Sequence, residues 1–154
     1  NLSKIYNALF PECINLDYAF YECPKLVDVQ GLVIPKCTSM NYTFYGSDAL
    51  QKVYRPEWPS VVSMDYAFYD CDALTELDIS NLPVLKYASN ICNSCDSLLK
   101  VVLPTSGTLE TLDYAFAYCP KLRQVEATDL THVTTMDHIF YECPGKYSFA
   151  LYPL

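Results

Sequence analysis

Cys92 and Cys95 form a Cys-x-x-Cys pair, the spacing used for disulfide exchange or for half of a zinc site. The rest of the chain supports neither use. There is no second such pair, and only His132 and His138 could add imidazole ligands. Eight cysteines in 154 residues also raise a disulfide framework. Cys13 and Cys37 share a position in neighbouring segments, and spacing alone leaves a bridge between them open. Asp17, Asn41, Asp65, Asp113 and Asp137 recur in step and suggest calcium, but they lack the dense oxygen pattern of a dedicated loop. Asp70 and Asp72 flank Cys71 and read as solvated acids. No Ser–His–Asp, Cys–His or glycine-rich phosphate motif stands out, so the expectation is no enzyme, no cofactor and no metal.

What the cysteines share is a place in a repeat. Cys23, Ser47, Cys71, Cys95, Cys119 and Cys143 stand 24 residues apart. Around them one phrase returns: LDYAFYECPKL from Leu16, MNYTFYGSDAL from Met40, MDYAFYDCDAL from Met64 and LDYAFAYCPKL from Leu112. A fixed period in this range marks a solenoid, whose units are too small to bury a core alone and must stack. The unbroken phase leaves no room for a linker, so residues 1–154 read as one domain.

The repeat must be built from two halves. In the third unit Leu74, Leu77 and Ile79 have the alternation of a short strand, and the row Pro11, Pro35, Pro59 and Pro83 marks the turn that follows. In the other half Leu16, Ala19, Phe20 and Cys23 fall at i, i+3, i+4 and i+7, one face of a short helix. Asn15, Ser39, Ser63, Thr111 and Thr135 are candidate N-caps, and the acidic row would follow in the first turn, where the helix dipole favours it by about 0.3–1 kcal/mol each. The expected fold is an α/β repeat solenoid, right-handed, with a parallel sheet on one face and short helices on the other. Strands are expected near residues 4, 28, 52, 76, 100 and 124, with an irregular seventh near 149. Helices are expected to start near 15, 39, 63, 87, 111 and 135. The ladder cysteines are then buried hydrophobes. Along the strand face Lys4, Asp28, Lys52, Glu76, Lys100 and Gln124 alternate in sign, which would pair opposite charges across neighbouring strands.

The run Leu98-x-x-Val101-x-Leu103-Pro104, then Leu109, Leu112 and Ala115-Phe116-x-x-Cys119, resembles the bacterial BspA-type leucine-rich repeats over nearly the whole chain. The fourth unit departs from the pattern with Ile91 and Cys92 in place of Ala67 and Phe68, and the last has Lys146 where a strand leucine belongs. The resemblance implies a leucine-rich-repeat solenoid and a secreted or cell-surface protein linked to adhesion and host-protein binding. It supplies no catalytic residues.

Two functions follow as expectations. The first is a surface module that binds a protein or glycan through the outward strand row Tyr6, Gln30, Tyr54, Asp78, Val102 and Glu126, where side chains vary while the interior repeats. The second is a self-assembling structural protein, joined through its terminal strands or through the tyrosine rows Tyr18, Tyr42, Tyr66, Tyr114 and Tyr21, Tyr45, Tyr69, Tyr141. A formal charge of −8 argues against nucleic acid, and no apolar run is long enough for a transmembrane segment. Asn1 opens directly in the repeat with nothing resembling a signal peptide.

Overall fold

The strands of the repeat are only three or four residues long, and in the first six the second residue turns inward, so Ile5, Val29, Val53, Leu77, Val101 and Val125 all point into one core. The computed structural model describes residues 2–54, 56–145 and 148–151. Its strands are β1 (Lys4–Tyr6), β2 (Asp28–Gln30), β3 (Lys52–Tyr54), β4 (Glu76–Asp78), β5 (Lys100–Val102), β6 (Gln124–Ala127) and β7 (Ser148–Leu151). They form one parallel sheet in sequence order, and every pair is offset by the repeat length. The strand positions expected from the sequence are therefore found, and Lys146 lies outside the described residues. Counting from each strand, residues 4–27 form coil 1, and coils 2 to 6 follow at the same interval.

The other half of the repeat is a correction. None of the helices expected near residues 15, 39, 63, 87, 111 and 135 is present among the described residues. Each of these segments is a pair of tight turns instead. In coil 3 the Ala67 N–H donates to the Met64 carbonyl at 3.1 Å and the Tyr69 N–H to the Tyr66 carbonyl at 3.3 Å. Tyr66 takes φ 58°, and its counterparts Tyr18, Tyr42, Asn90, Tyr114 and His138 are also left-handed.

Pitch explains why. Strands in one sheet sit about 4.7–4.9 Å apart, whereas a helix with its side chains is about 10–12 Å across. Helices could stack behind this sheet only if the coils fanned apart. They do not: the rings of Tyr42 and Tyr66, on the turn side, are 4.7 Å apart and nearly parallel. The amide groups a helix would use internally go to the next coil. Leu16, Tyr18, Phe20 and Glu22 donate to the carbonyls of Ser39, Asn41, Thr43 and Tyr45 at 2.7–3.0 Å. The same four bonds recur at every interface from coil 1 to coil 6, always with the donor in the earlier coil.

The supposed caps and helix-start acids serve the same stacking. Asn15, Ser39, Ser63, Tyr87, Thr111 and Thr135 form a further parallel ladder of bridges. The Asp17 Oδ1 accepts the Asn41 N–H at 2.7 Å, Asn41 Oδ1 accepts that of Asp65 at 2.8 Å, and Asp113 Oδ1 that of Asp137 at 2.7 Å. Each side chain thus ties down an amide in the coil that follows.

The inward pattern survives the change of backbone. Met64, Ala67, Phe68 and Cys71 are fully buried, as the helical reading required, because two consecutive turns also return a side chain to the core every three or four residues. Phe20, Phe44 and Phe68 stack at 5.2–5.4 Å between ring centres. The stack breaks at Cys92, where buried Ile91 on the neighbouring position makes up volume.

Candidate binding surface

No buried thiol here is poised as a nucleophile. Cys71, Cys95, Cys119 and Cys143 donate to the carbonyl oxygens of Phe44, Phe68, Cys92 and Phe116 in the preceding coil at 2.9–3.2 Å, and Ser47 makes the same bond to Phe20. Burial pushes the thiols of Cys71, Cys92 and Cys119 well up and that of Cys37 to about 11. Cys13 and Cys37 are both free thiols, donating to the Asn15 and Ser39 carbonyls of their own coils. Among the described residues no group of three or more His, Cys, Asp or Glu side chains could hold a metal ion. Thr131 Oγ1 lies 3.3 Å from His132 Nδ1, but it donates to Asp129 Oδ1 at 2.7 Å. That carboxylate also takes the Thr131 N–H, so the cluster closes a local turn, and these bonds hold the Asp129 carboxyl below its usual range.

The strand face carries the candidate surface. Tyr6, Gln30, Tyr54, Asp78, Val102 and Glu126 are the third residues of strands β1 to β6 and share one outward row, with Tyr6 and Tyr54 exposed at 64% and 40%. The register aligns Tyr6, Gln30 and Tyr54 on one side and Asp78, Val102 and Glu126 on the other. Between these triplets the sheet opens. Strands β3 and β4 pair only at Lys52 and Glu76, whereas the other neighbours pair at three or four residues. Beyond that single pair lies a cleft of about 220 Å³ lined by Lys52, Val53, Tyr54, Glu76 and Asp78.

Coil 3 has two features that go with the opening. Pro56 follows β3 closely and has no N–H to offer a ladder. Two residues on, Trp58 takes the buried place held by Ile34 and Leu82, with its Nε1 donating to the Leu32 carbonyl at 3.0 Å. Proline near a strand end was legible in the sequence; that the pairing would part at this strand pair was not.

Charges on this face are only partly arranged as the alternating row suggests. Lys4 meets Asp28 at 3.4 Å. Lys100 bonds Glu126 at 2.8 Å instead of a neighbour in its own row, and Gln124 donates to the same carboxylate at 2.5 Å. Hydrogen bonding to Glu126 raises the Lys100 ammonium above its ordinary range. Lys52 Nζ sits 4.9 Å from the centre of the Tyr54 ring, a cation–π contact at the cleft mouth. Asp78 Oδ1 accepts the Ser80 N–H at 3.0 Å and keeps its other oxygen for solvent or a ligand.

The tyrosine rows stand on the turn side. Tyr18, Tyr42 and Tyr66 stack at 4.7–4.8 Å, and Tyr21, Tyr45 and Tyr69 at 4.8–4.9 Å. Coil 4 interrupts both columns with Asn90 and Asn93, which hydrogen-bond each other at 2.9 Å. With ring faces turned on one another, the columns offer edges and hydroxyls to solvent. One feature went unread in the sequence: Asp48, Asp72 and Asp96 line up in successive coils beside Asp70. Burial, then mutual repulsion, raises the carboxyls of Asp70 and Asp72.

A parallel-stranded solenoid with a varied outward row and a largely repeating interior defines a repeat-scaffold class. The chain matches the BspA type leucine rich repeat region in six copies over residues 16–146, and it belongs to that family. No curated protein and no solved structure matches it significantly. Leucine-rich-repeat families are generally non-enzymatic and suggest protein interaction, and this one is often surface-associated. No described helix is long and apolar enough to cross a membrane.

Proposed function

We propose that this chain is a non-enzymatic binding module, displayed at a cell surface or secreted, that engages a protein or glycan partner through its strand face in an adhesion-like role. The observation that carries the reading is the opening of the sheet between Tyr54 and Asp78. It interrupts an otherwise regular face with an aromatic ring, two carboxylates and an ammonium group around one cleft. An aromatic side chain beside charged groups in a concavity suits a partner bearing both apolar and polar surface. The test is Tyr54→Ala and Asp78→Lys in the purified chain, assayed for capture of cell-surface proteins and immobilised glycans. Loss of binding with thermal stability unchanged supports the reading; retention of binding by both variants rejects it.

Self-association is the second reading, and one observation favours it. Coil 1 leaves Leu9, Phe10 and Ile14 exposed, the last at 66%, beside the outer edge of β1. Sedimentation across a concentration series decides between the two: association abolished by Ile14→Lys supports assembly, and a monomer at all concentrations removes it.

A further inference from the structure

Five of the six coils close the corner after the strand with the same backbone bond. The N–H groups of Cys13, Cys37, Val61, Leu85 and Val133 donate to the carbonyls of Phe10, Ile34, Trp58, Leu82 and Leu130 at 3.1–3.5 Å. Coil 5 is the exception among the described residues: no such bond joins Leu109 to Ser106. The sequence accounts for it. Ser106 stands where Ile34, Trp58 and Leu82 turn into the core, and it faces solvent. Gly107 replaces the turn proline at φ 64°, where a Cβ would run into the Asp129 carboxylate.

The opened corner leaves a depression of about 440 Å³ across coils 4 to 6, within the usual range of about 300–1,000 Å³ for small-molecule sites. Besides Gly107 its lining is Lys86, Ser106, Thr108, Glu110, His132 and Thr134, none of which lines the strand-face cleft. Lys86 and Glu110 form an ion pair at 2.7 Å, so these two charges of the lining compensate each other.

The directions of the hydrogen bonds narrow the ligand. Thr108 Oγ1 donates to the Leu85 carbonyl at 2.7 Å and Thr134 Oγ1 to the Glu110 carbonyl at 3.1 Å. With its proton so committed, Thr108 can only accept from Ser106 Oγ, 3.0 Å away. All three hydroxyls therefore face the depression as acceptors, joined by the Glu110 carboxylate. The donors are the remaining Lys86 protons and the His132 ring. An anion would meet a row of acceptors, and a cation would meet Lys86. A ligand with adjacent hydroxyls fits, since each can donate to one of these oxygens while accepting from Lys86 or His132.

We propose that the opened corner of coil 5 is a binding site for a neutral saccharide. The site is independent of the strand-face cleft. The test is isothermal titration calorimetry of the purified chain with D-mannose, D-galactose and N-acetyl-D-glucosamine, and with sodium sulfate as the anion probe. At least one sugar is expected to bind and sulfate is not. Ser106→Leu, which restores the side chain of the closed corner, and Thr134→Val, a surface change that removes one acceptor, are each expected to weaken sugar binding at least tenfold. Tyr54→Ala is expected to leave it unchanged. The proposal is overturned if no sugar binds, if sulfate binds in place of sugar, or if Tyr54→Ala abolishes binding while the two corner variants retain it.

Discussion

The Cys95 thiol donates to the Phe68 carbonyl oxygen of the preceding coil at 3.1 Å. Ser47 makes the equivalent bond to Phe20 with a hydroxyl, so the ladder position selects for a small buried donor, and sulfur is one way to supply it. Cys95→Ser is therefore expected to destabilise less than Cys95→Val, which fits the space but leaves the carbonyl with one partner fewer. Urea unfolding of the two variants checks the order, and a more stable valine variant would show that packing alone governs the ladder.

Thiol reactivity should sort by depth. Cys13 and Cys23, only half-buried, are expected to modify first with iodoacetamide at pH 8. Cys37, held to about 11, and the buried Cys71, Cys92 and Cys119 should lag until the chain unfolds. Peptide mass spectrometry over a labelling time course reads the order directly.

Backbone conformation at the tyrosine row separates turns from helices by the sign of one substitution. Tyr66 holds φ 58°, a region that costs most side chains and costs glycine nothing. Tyr66→Gly should then be the more stable of the pair with Tyr66→Ala, by about 1 kcal/mol; inside a helix glycine would be worse than alanine by a similar amount. Phe68→Ala, which opens a cavity in the stacked core, is expected to cost roughly 3–5 kcal/mol and to exceed both.

That contrast shows what the sequence did and did not reveal. The 24-residue phase and the alternation around Leu77 placed all seven strands, because a period and a pleat are both one-dimensional patterns. The spacing of Leu16, Ala19, Phe20 and Cys23 located the face that their counterparts Met64, Ala67, Phe68 and Cys71 bury, but misnamed its backbone, since two linked turns repeat at nearly the helical interval. Gly46 and Asn90 were the available signal: both stand in rows that turned out to be left-handed, and both are poor choices for a helix interior. The row containing Tyr54 and Asp78 was legible from its variation, but the parting of β3 from β4 depends on pairing between strands that neither sequence segment encodes alone. The corner at Ser106 was equally hidden, because a single serine for leucine looks like ordinary surface drift.

The acid ladder predicts another pair of variants. Asp65 Oδ1 accepts the Ser89 N–H at 2.8 Å across the coil interface, although burial raises its carboxyl. Asp65→Asn keeps an acceptor and should be nearly neutral. Asp65→Ala strands that amide and is expected to cost about 1–3 kcal/mol by chemical denaturation.

Stability should also depend on pH through Asp70 and Asp72. Burial and repulsion raise Asp70 and Asp72 above their unfolded values, so the folded state holds their protons more tightly. The stability this contributes is present below the ordinary carboxylate range and is lost as pH rises through the raised values. Tm is expected to climb as pH is lowered from 7 towards 5, offset in part by Glu110 and Asp129, whose carboxyls are held low. At pH 7 Asp72→Asn should gain about 0.5 kcal/mol, or roughly 1–2 °C, and flatten the profile. A Tm that falls on replacing Asp72 would show that its carboxylate is bound to something stabilising.

The four amide bonds between successive coils on the turn side all run one way. In an ordinary sheet the peptide dipoles of adjacent residues largely cancel, whereas here half the units of that face add along the axis, as they do in a helix. The main chain of that face is consequently electrically polar, negative towards β1 and positive towards β7. A coil inserted upside down would set carbonyl against carbonyl at one seam and amide against amide at the other. Repeats of this kind can therefore be gained, lost or shuffled between genes only in a single orientation, and the orientation is written into the main chain, whatever the side chains do.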